Sequence, residues 1–225
     1  MAAERGWLGA FPLPALFVSR WIRTILAAGA LLCAAALPAR GQALQERLAP
    51  CLACHGETGR SENPEVPSLG GQPSAFLVIQ LYVFRERQRI AEPMNQLTKG
   101  LTDDDLRSLS DELEKLPAPV AAGPADPARM EKGRALSARH RCGFCHNPDL
   151  SGHDQIPRIA VQREDYLVKA LREYRSQERR GYDPSMVDIA RQLGDAEILS
   201  SPITWRTGAE ATKRRELNLA LAFVA

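Results

Sequence analysis

The pentapeptide Cys-x-x-Cys-His occurs twice in this chain, as Cys51-Leu-Ala-Cys54-His55 and Cys142-Gly-Phe-Cys145-His146. It is the attachment signature for c-type haem. Two thiols three positions apart on a helical turn can each bond one haem vinyl group. The histidine that follows then points a ring nitrogen at the iron. Four of the chain's five cysteines are used in this way, so two covalently bound haem c groups are predicted. No further cysteines are left to complete a zinc set beside either pair.

The 225 residues hold two copies of one unit. Val66-Pro67-Ser68-Leu69-Gly70-Gly71-Gln72 aligns with Ile156-Pro157-Arg158-Ile159-Ala160-Val161-Gln162, and Phe76-Leu77 aligns with Tyr166-Leu167. The offset is 91 residues at the haem cysteines, 90 at these segments and 92 at Met94/Met186 and Leu101/Leu193. Offsets this steady mean a duplication of a unit of about 90 residues with single-residue insertions. The segment from Leu116 to Pro127 carries four prolines and a glycine, which cannot continue a helix, so it reads as an extended linker.

The local signals are helical. Thr102 is placed to cap a helix whose apolar face is Leu106, Leu109, Leu113 and Leu116. Asp126-Pro127 reads as cap and first turn of a helix leading towards Cys142. Phe76 to Arg89 and Tyr166 to Arg179 read as amphipathic helices with arginines on their outer faces. No alternating strand pattern stands out, and the predicted fold class is all-α. The predicted division is 42–116 for the first domain, 117–127 for the linker, 128–200 for the second domain and 201–225 for an atypical tail.

Residues 1–41 read as a signal peptide. Arg5, Arg20 and Arg23 precede the 13-residue apolar run Ile25–Leu37, which is short for a membrane span, and small residues follow it. Retention as an uncleaved anchor is the alternative, because the basic region is long and has its own apolar patch. Cys33 lies inside the run without the small preceding residue a lipid-attachment site needs. Export to the periplasm is the expectation, and peripheral membrane association is compatible with it.

Without residues 1–41 the chain holds 25 basic and 26 acidic side chains, a balance that argues against a nucleic-acid partner. The charge is uneven. Residues 42–126 hold 8 basic and 13 acidic side chains, and residues 127–225 hold 17 and 13. Such bipolarity can orient a protein at a charged docking surface, or it can be an uneven solvated surface without consequence.

An iron held by histidine needs a second axial ligand or an open site. Met94 lies 39 residues after His55 and Met186 lies 40 after His146, each just after a proline turn. A methionine in a helical chain is usually core filler. One per haem, at the same place in both copies, makes these two the expected iron ligands with His55 and His146. Met130 has no counterpart in the first copy and reads as packing. His140 and His153 stand within seven residues of His146, too near to reach the opposite haem face, and read as surface residues. Pro67 and Pro157 follow the proximal histidines by twelve and eleven residues. Their carbonyls could accept the ring N–H of His55 and His146, or they are simply turn prolines. Thioether ligation favours ferrous iron and raises the reduction potential. An iron with both axial positions filled has little room for substrate.

On the two CxxCH sites, the VPSLGGQ and IPRIAVQ segments and the two methionine loops, the chain to about residue 199 resembles the cytochrome c4 family, exported proteins of two fused class I cytochrome c domains. The resemblance implies His/Met ligation in both domains and haems that approach one another across the domain interface. It also implies the proline carbonyl bonds to the histidines. The implied role passes electrons from a membrane quinol-oxidising complex or a dehydrogenase to a terminal oxidase or reductase, as an electron carrier and not an enzyme. The alternatives are a permanent cytochrome subunit of a dehydrogenase complex and a haem peroxidase with an open iron position. Two departures stand out. The first domain's entering helix is short, with only Gln42 to Pro50 before Cys51, and Pro202 would stop the closing helix of the second domain early. Arg215 to Val224 is helix-compatible and is the candidate replacement for that helix, and an altered reading frame would equally explain the lost similarity.

Overall fold

The computed structural model describes residues 44–121, 126–179 and 184–200. The predicted signal peptide and the atypical tail 201–225 lie outside the described residues. The chain divides after Gln45, and the described residues of both copies of the repeat from Glu46 onwards fall on the same side of that division, in one compact unit.

Each copy is a short helical series. The first has α1 (44–55), α2 (Ser74–Arg85), α3 (Met94–Thr98) and α4 (Asp103–Lys115). The second has α5 (Pro127–Arg139), α6 (Cys142–Cys145), α7 (Glu164–Ser176), α8 (Ser185–Arg191) and α9 (Asp195–Ser200). Among the described residues there is no strand, only an isolated bridge between His153 and Ile156. The fold is all-α.

Local chemistry explains the helix starts. Thr102 accepts from the Asp105 N–H at 3.2 Å and Asp105 accepts from the Thr102 N–H at 2.8 Å, a reciprocal capping box that opens α4. Asp126 accepts from the N–H groups of Ala128 and Arg129, with Pro127 in the first turn of α5 where its missing N–H costs nothing. Leu106, Leu109 and Leu113 of α4 are almost wholly buried against α2, each stabilising the fold by roughly 1.5–3 kcal/mol. In the second copy Ile198 of α9 takes the place of Leu106 and joins Leu167, Leu171 and Leu193 in one core cluster.

The two helices predicted to run to Arg89 and Arg179 end earlier, and these arginines do not face solvent. After α2 the chain turns at Arg87 (φ 52°), and after α7 at Gln177 (φ 65°). The left-handed turns fold the chain back, so that the Arg89 N–H bonds the Val83 carbonyl and the Arg179 N–H bonds the Glu173 carbonyl, each at 3.0 Å. Both side chains are buried over aromatic rings, Arg89 at 4.6 Å from the Phe84 centroid and Arg179 at 4.9 Å from that of Tyr174.

A polar network joins the two copies. The Gln80 Oε1 atom accepts from Arg89 at 2.8 Å and Arg179 at 3.4 Å, while Arg89 lies 3.7 Å from the Glu173 carboxylate. Lys169 pairs with Glu65, and the Phe76 N–H donates to the Asp154 carbonyl.

Candidate haem-binding sites

In the first copy Cys51, Cys54 and His55 occupy the last turn of α1, so both thiols and the imidazole reach the same cavity of about 460 Å³. His55 is buried, and its Nδ1 lies 2.7 Å from the Pro67 carbonyl oxygen. A carbonyl only accepts, so Nδ1 carries the proton and Nε2 is left with a free lone pair. Burial pushes the His55 pKa down, against the upward pull of the Pro67 bond. The imidazole is thereby held neutral, the form that binds metal. Burial likewise pushes the Cys51 thiol up.

The second copy repeats the arrangement on different local structure. Arg141 in a left-handed conformation (φ 53°) separates α5 from α6, and Cys142, Cys145 and His146 follow it. The His146 Nδ1 donates to the Pro157 carbonyl at 2.8 Å. Burial lowers its pKa, opposed by that bond and aided by His153. These groups line a second cavity of about 340 Å³.

Met94 begins α3 and lines the first cavity; Met186 lies in the first turn of α8 and lines both. Each half therefore brings its two cysteines, its histidine and its methionine to one cavity. His146 and Met186 line the first cavity as well as the second, so the two sites adjoin. Met130 is buried on α5. His153 is exposed beside Asp154. His140, predicted at the surface, is instead half-buried with Nε2 3.6 Å from Glu197 Oε1, because α9 packs against α5 there.

Three features escaped sequence reasoning. Asn95 is buried, accepts from the Ala91 N–H at 2.7 Å and donates to the Phe84 and Arg89 carbonyls, each at 2.8 Å. It buckles the segment before Met94 to the end of α2. Gln72 and Gln162 are buried at the junction of the copies and bond the backbone of the opposite half. Their identity at an offset of 90 residues was the available signal. Arg89 and Arg179 repeat at the same offset. Tyr166 lies between them. Burial opposes its ionisation, but the two guanidinium charges outweigh that and lower its pKa.

The donor set fits haem c: two thiols, one neutral imidazole nitrogen and one thioether per site, within largely apolar walls. Buried Nε atoms of Arg158 and Arg179 have no hydrogen-bond partner, and both residues line the first cavity. Such donors suit the carboxylates that a haem carries.

No protein-family model matches the chain. Individual relatives do. It is 33% identical over 160 residues to cytochrome c4 of Thiocapsa roseopersicina, covering 66% of this chain and 81% of that protein. It is 29% identical over 195 residues to the thiosulfate dehydrogenase electron acceptor of Thiomonas intermedia, covering 79% and 86%. The crystal structure of reduced recombinant cytochrome c4 from Pseudomonas stutzeri superposes with a TM-score of 0.67 at 26% identity, over 73% of this chain and 96% of that one.

Proposed function

Because this chain belongs to the dihaem cytochrome c4 family, an electron carrier with two covalently bound haem c groups, we propose that it shuttles single electrons in the periplasm. The donor is a membrane quinol-oxidising complex or a dehydrogenase, and the acceptor a terminal oxidase or reductase. Residues 42–116 and 128–200 form the two haem domains, joined by 117–127. Residues 1–41 direct export.

Cys51 and Cys54 anchor one haem and Cys142 and Cys145 the other. His55 with Met94, and His146 with Met186, ligate the two irons. Bound haem supplies a one-electron iron couple, whose ferrous form thioether ligation favours. Pro67 and Pro157 fix the tautomer and plane of each histidine, which leaves Nε2 aimed into its cavity. Apolar neighbours such as Leu77, Leu81 and Phe84 keep water from the first site. With a histidine nitrogen and a methionine sulfur both committed to each iron, neither site would admit a substrate.

One observation carries this reading: the same cysteines, carbonyl-bound histidine and methionine recur in both copies and line adjoining cavities. Adjoining sites suit transfer between haems. Similarity to a thiosulfate dehydrogenase electron acceptor favours a dehydrogenase as donor. A potentiometric titration of the holoprotein, paired with stopped-flow reduction by thiosulfate dehydrogenase plus thiosulfate, tests the proposal. The expected result is two one-electron steps and rapid, salt-sensitive reduction. A single haem per chain, or turnover of peroxide by the protein alone, would refute it.

A further inference from the structure

The peptide group between Pro157 and Arg158 is bonded at both ends. Its carbonyl accepts from His146 Nδ1 at 2.8 Å, and its N–H donates to Gln72 Oε1 at 3.0 Å. Gln72 belongs to the other copy. Its Nε2 also donates to the Arg158 carbonyl at 2.7 Å, so the amide grips that residue from both sides. The mirror arrangement holds in the first copy. The Pro67–Ser68 peptide accepts from His55 Nδ1 at 2.7 Å and donates through the Ser68 N–H to Gln162 Oε1 at 2.8 Å, and Gln162 Nε2 returns to the Ser68 carbonyl at 2.8 Å. Both glutamines are buried.

We propose that Gln72 and Gln162 are crossed positioning residues: each sets the reduction potential of the haem in the opposite half. This rests on the His55 and His146 ligation proposed above. An amide is a conjugated unit, and a hydrogen bond accepted from its N–H polarises its carbonyl, strengthening the bond that carbonyl accepts in turn. Gln72 thereby makes the Pro157 oxygen a better acceptor, and His146 acquires more imidazolate character. A more basic histidine stabilises ferric iron and lowers the potential. Gln162 acts in the same way on His55. The two arms are unequal. Gln162 Oε1 also accepts from the Arg163 N–H at 2.9 Å, which divides its acceptor strength, so the Gln72 effect on the second haem is the larger.

The test uses holoprotein carrying Gln72→Met or Gln162→Met, close in size but unable to bond the peptide. An NMR-monitored redox titration, in which the ligand methionine methyl signals report each haem separately, gives both potentials. Gln72→Met is expected to favour the ferrous form of the second haem about threefold, roughly 30 mV for a one-electron couple, with a smaller change at the first. Gln162→Met reverses the pattern with lower amplitude. Hydrogen exchange at the Arg158 and Ser68 amides should accelerate in the respective variants. Equal shifts at both haems, or shifts confined to the half carrying the substitution, overturn the proposal and leave a purely structural brace. If a methionine variant fails to load both haems, Gln72→Asn, which keeps the amide but withdraws it, must show the same crossed pattern, and its absence is equally decisive. Intact methionine ligation without a crossed effect refutes only this inference, whereas wild-type protein lacking that ligation refutes the functional reading beneath it.

Discussion

The two copies reach the same donor set by unequal means. In the first, one continuous helix, α1, delivers both cysteines and the histidine, and Asn95 ties down the methionine loop with three hydrogen bonds, two of them buried. In the second, a left-handed Arg141 interrupts the entry, and Val187, whose side chain cannot form such bonds, stands where the repeat offset places Asn95. The first copy puts Gly71 at φ 64° in the turn after its proline loop, whereas the second forces Val161 to φ 56°. The closing helices differ as well: α4 has thirteen residues and a full capping box, and α9 has six. At Gly194 only the return half of that box survives, with Glu197 Oε2 accepting from the Gly194 N–H at 3.0 Å. Some links are retained. Arg85 reaches the Leu101 carbonyl and Asp103, and Arg175 reaches the Leu193 carbonyl and Asp195 in the same pattern. Among the described residues the second copy keeps the bond from its histidine to the proline carbonyl and the arginine ties, but not the Asn95 amide or the full capping box.

The sharpest way to break this contrast is Asn95→Leu. It strands the Ala91 N–H and the Arg89 carbonyl, while the Phe84 carbonyl keeps the Arg87 N–H, costing about 3 kcal/mol. Methionine ligation should fail at the first haem and persist at the second, as visible absorption of the oxidised protein would reveal. Next is the turn glycine. A Cβ on Gly71 would lie 2.7 Å from that of Ala118 at the start of the linker, and a β-branched residue there also carries left-handed strain. Gly71→Val should cost about 2 kcal/mol or more. Val161→Gly, which relieves strain but loses packing, should stay within about 1 kcal/mol. Denaturant melts of both variants check the asymmetry.

Acid should act on the tie between α1 and α4. Asp105 bonds the Arg47 guanidinium and the Thr102 N–H, which hold its carboxyl well below the usual carboxylate range. The folded value lies below the unfolded one of about 3.9, so this contribution is present above about pH 4 and is lost as pH falls through the folded value. The Tm of the wild type should drop on acidification more steeply than that of Asp105→Asn. The smallest effect is at Gly194, where a Cβ would meet only the Glu197 carboxylate at 3.9 Å. Gly194→Ser should restore the missing cap and raise stability by a few tenths of a kcal/mol in the same melts.

What could be read from the chain before its fold follows from range. The haem motif, the repeat, the Thr102 cap and the Asp126-Pro127 start are local or covalent signals, written within a few residues. The ends of α2 and α7 carried no such mark, because Arg87 and Gln177 enter left-handed turns that glycine ordinarily occupies. Arginine on a helical pattern reads as an outer face, yet Arg89 and Arg179 find aromatic rings and Gln80 only once both copies are packed together. Asn95 occurs in one copy, so not even the repeat could single it out.

Ligation of the two irons by Met94 and Met186 is the proposal on which electron transfer by this chain depends. It is tested most directly by the sulfur-to-iron charge-transfer band of the oxidised holoprotein, measured for the wild type, Met94→Ala and Met186→Ala. Each substitution is expected to remove about half of the band and the double variant to abolish it, on the basis of one thioether ligand per haem. An undiminished band in either single variant, or a high-spin spectrum in the wild type, would contradict it.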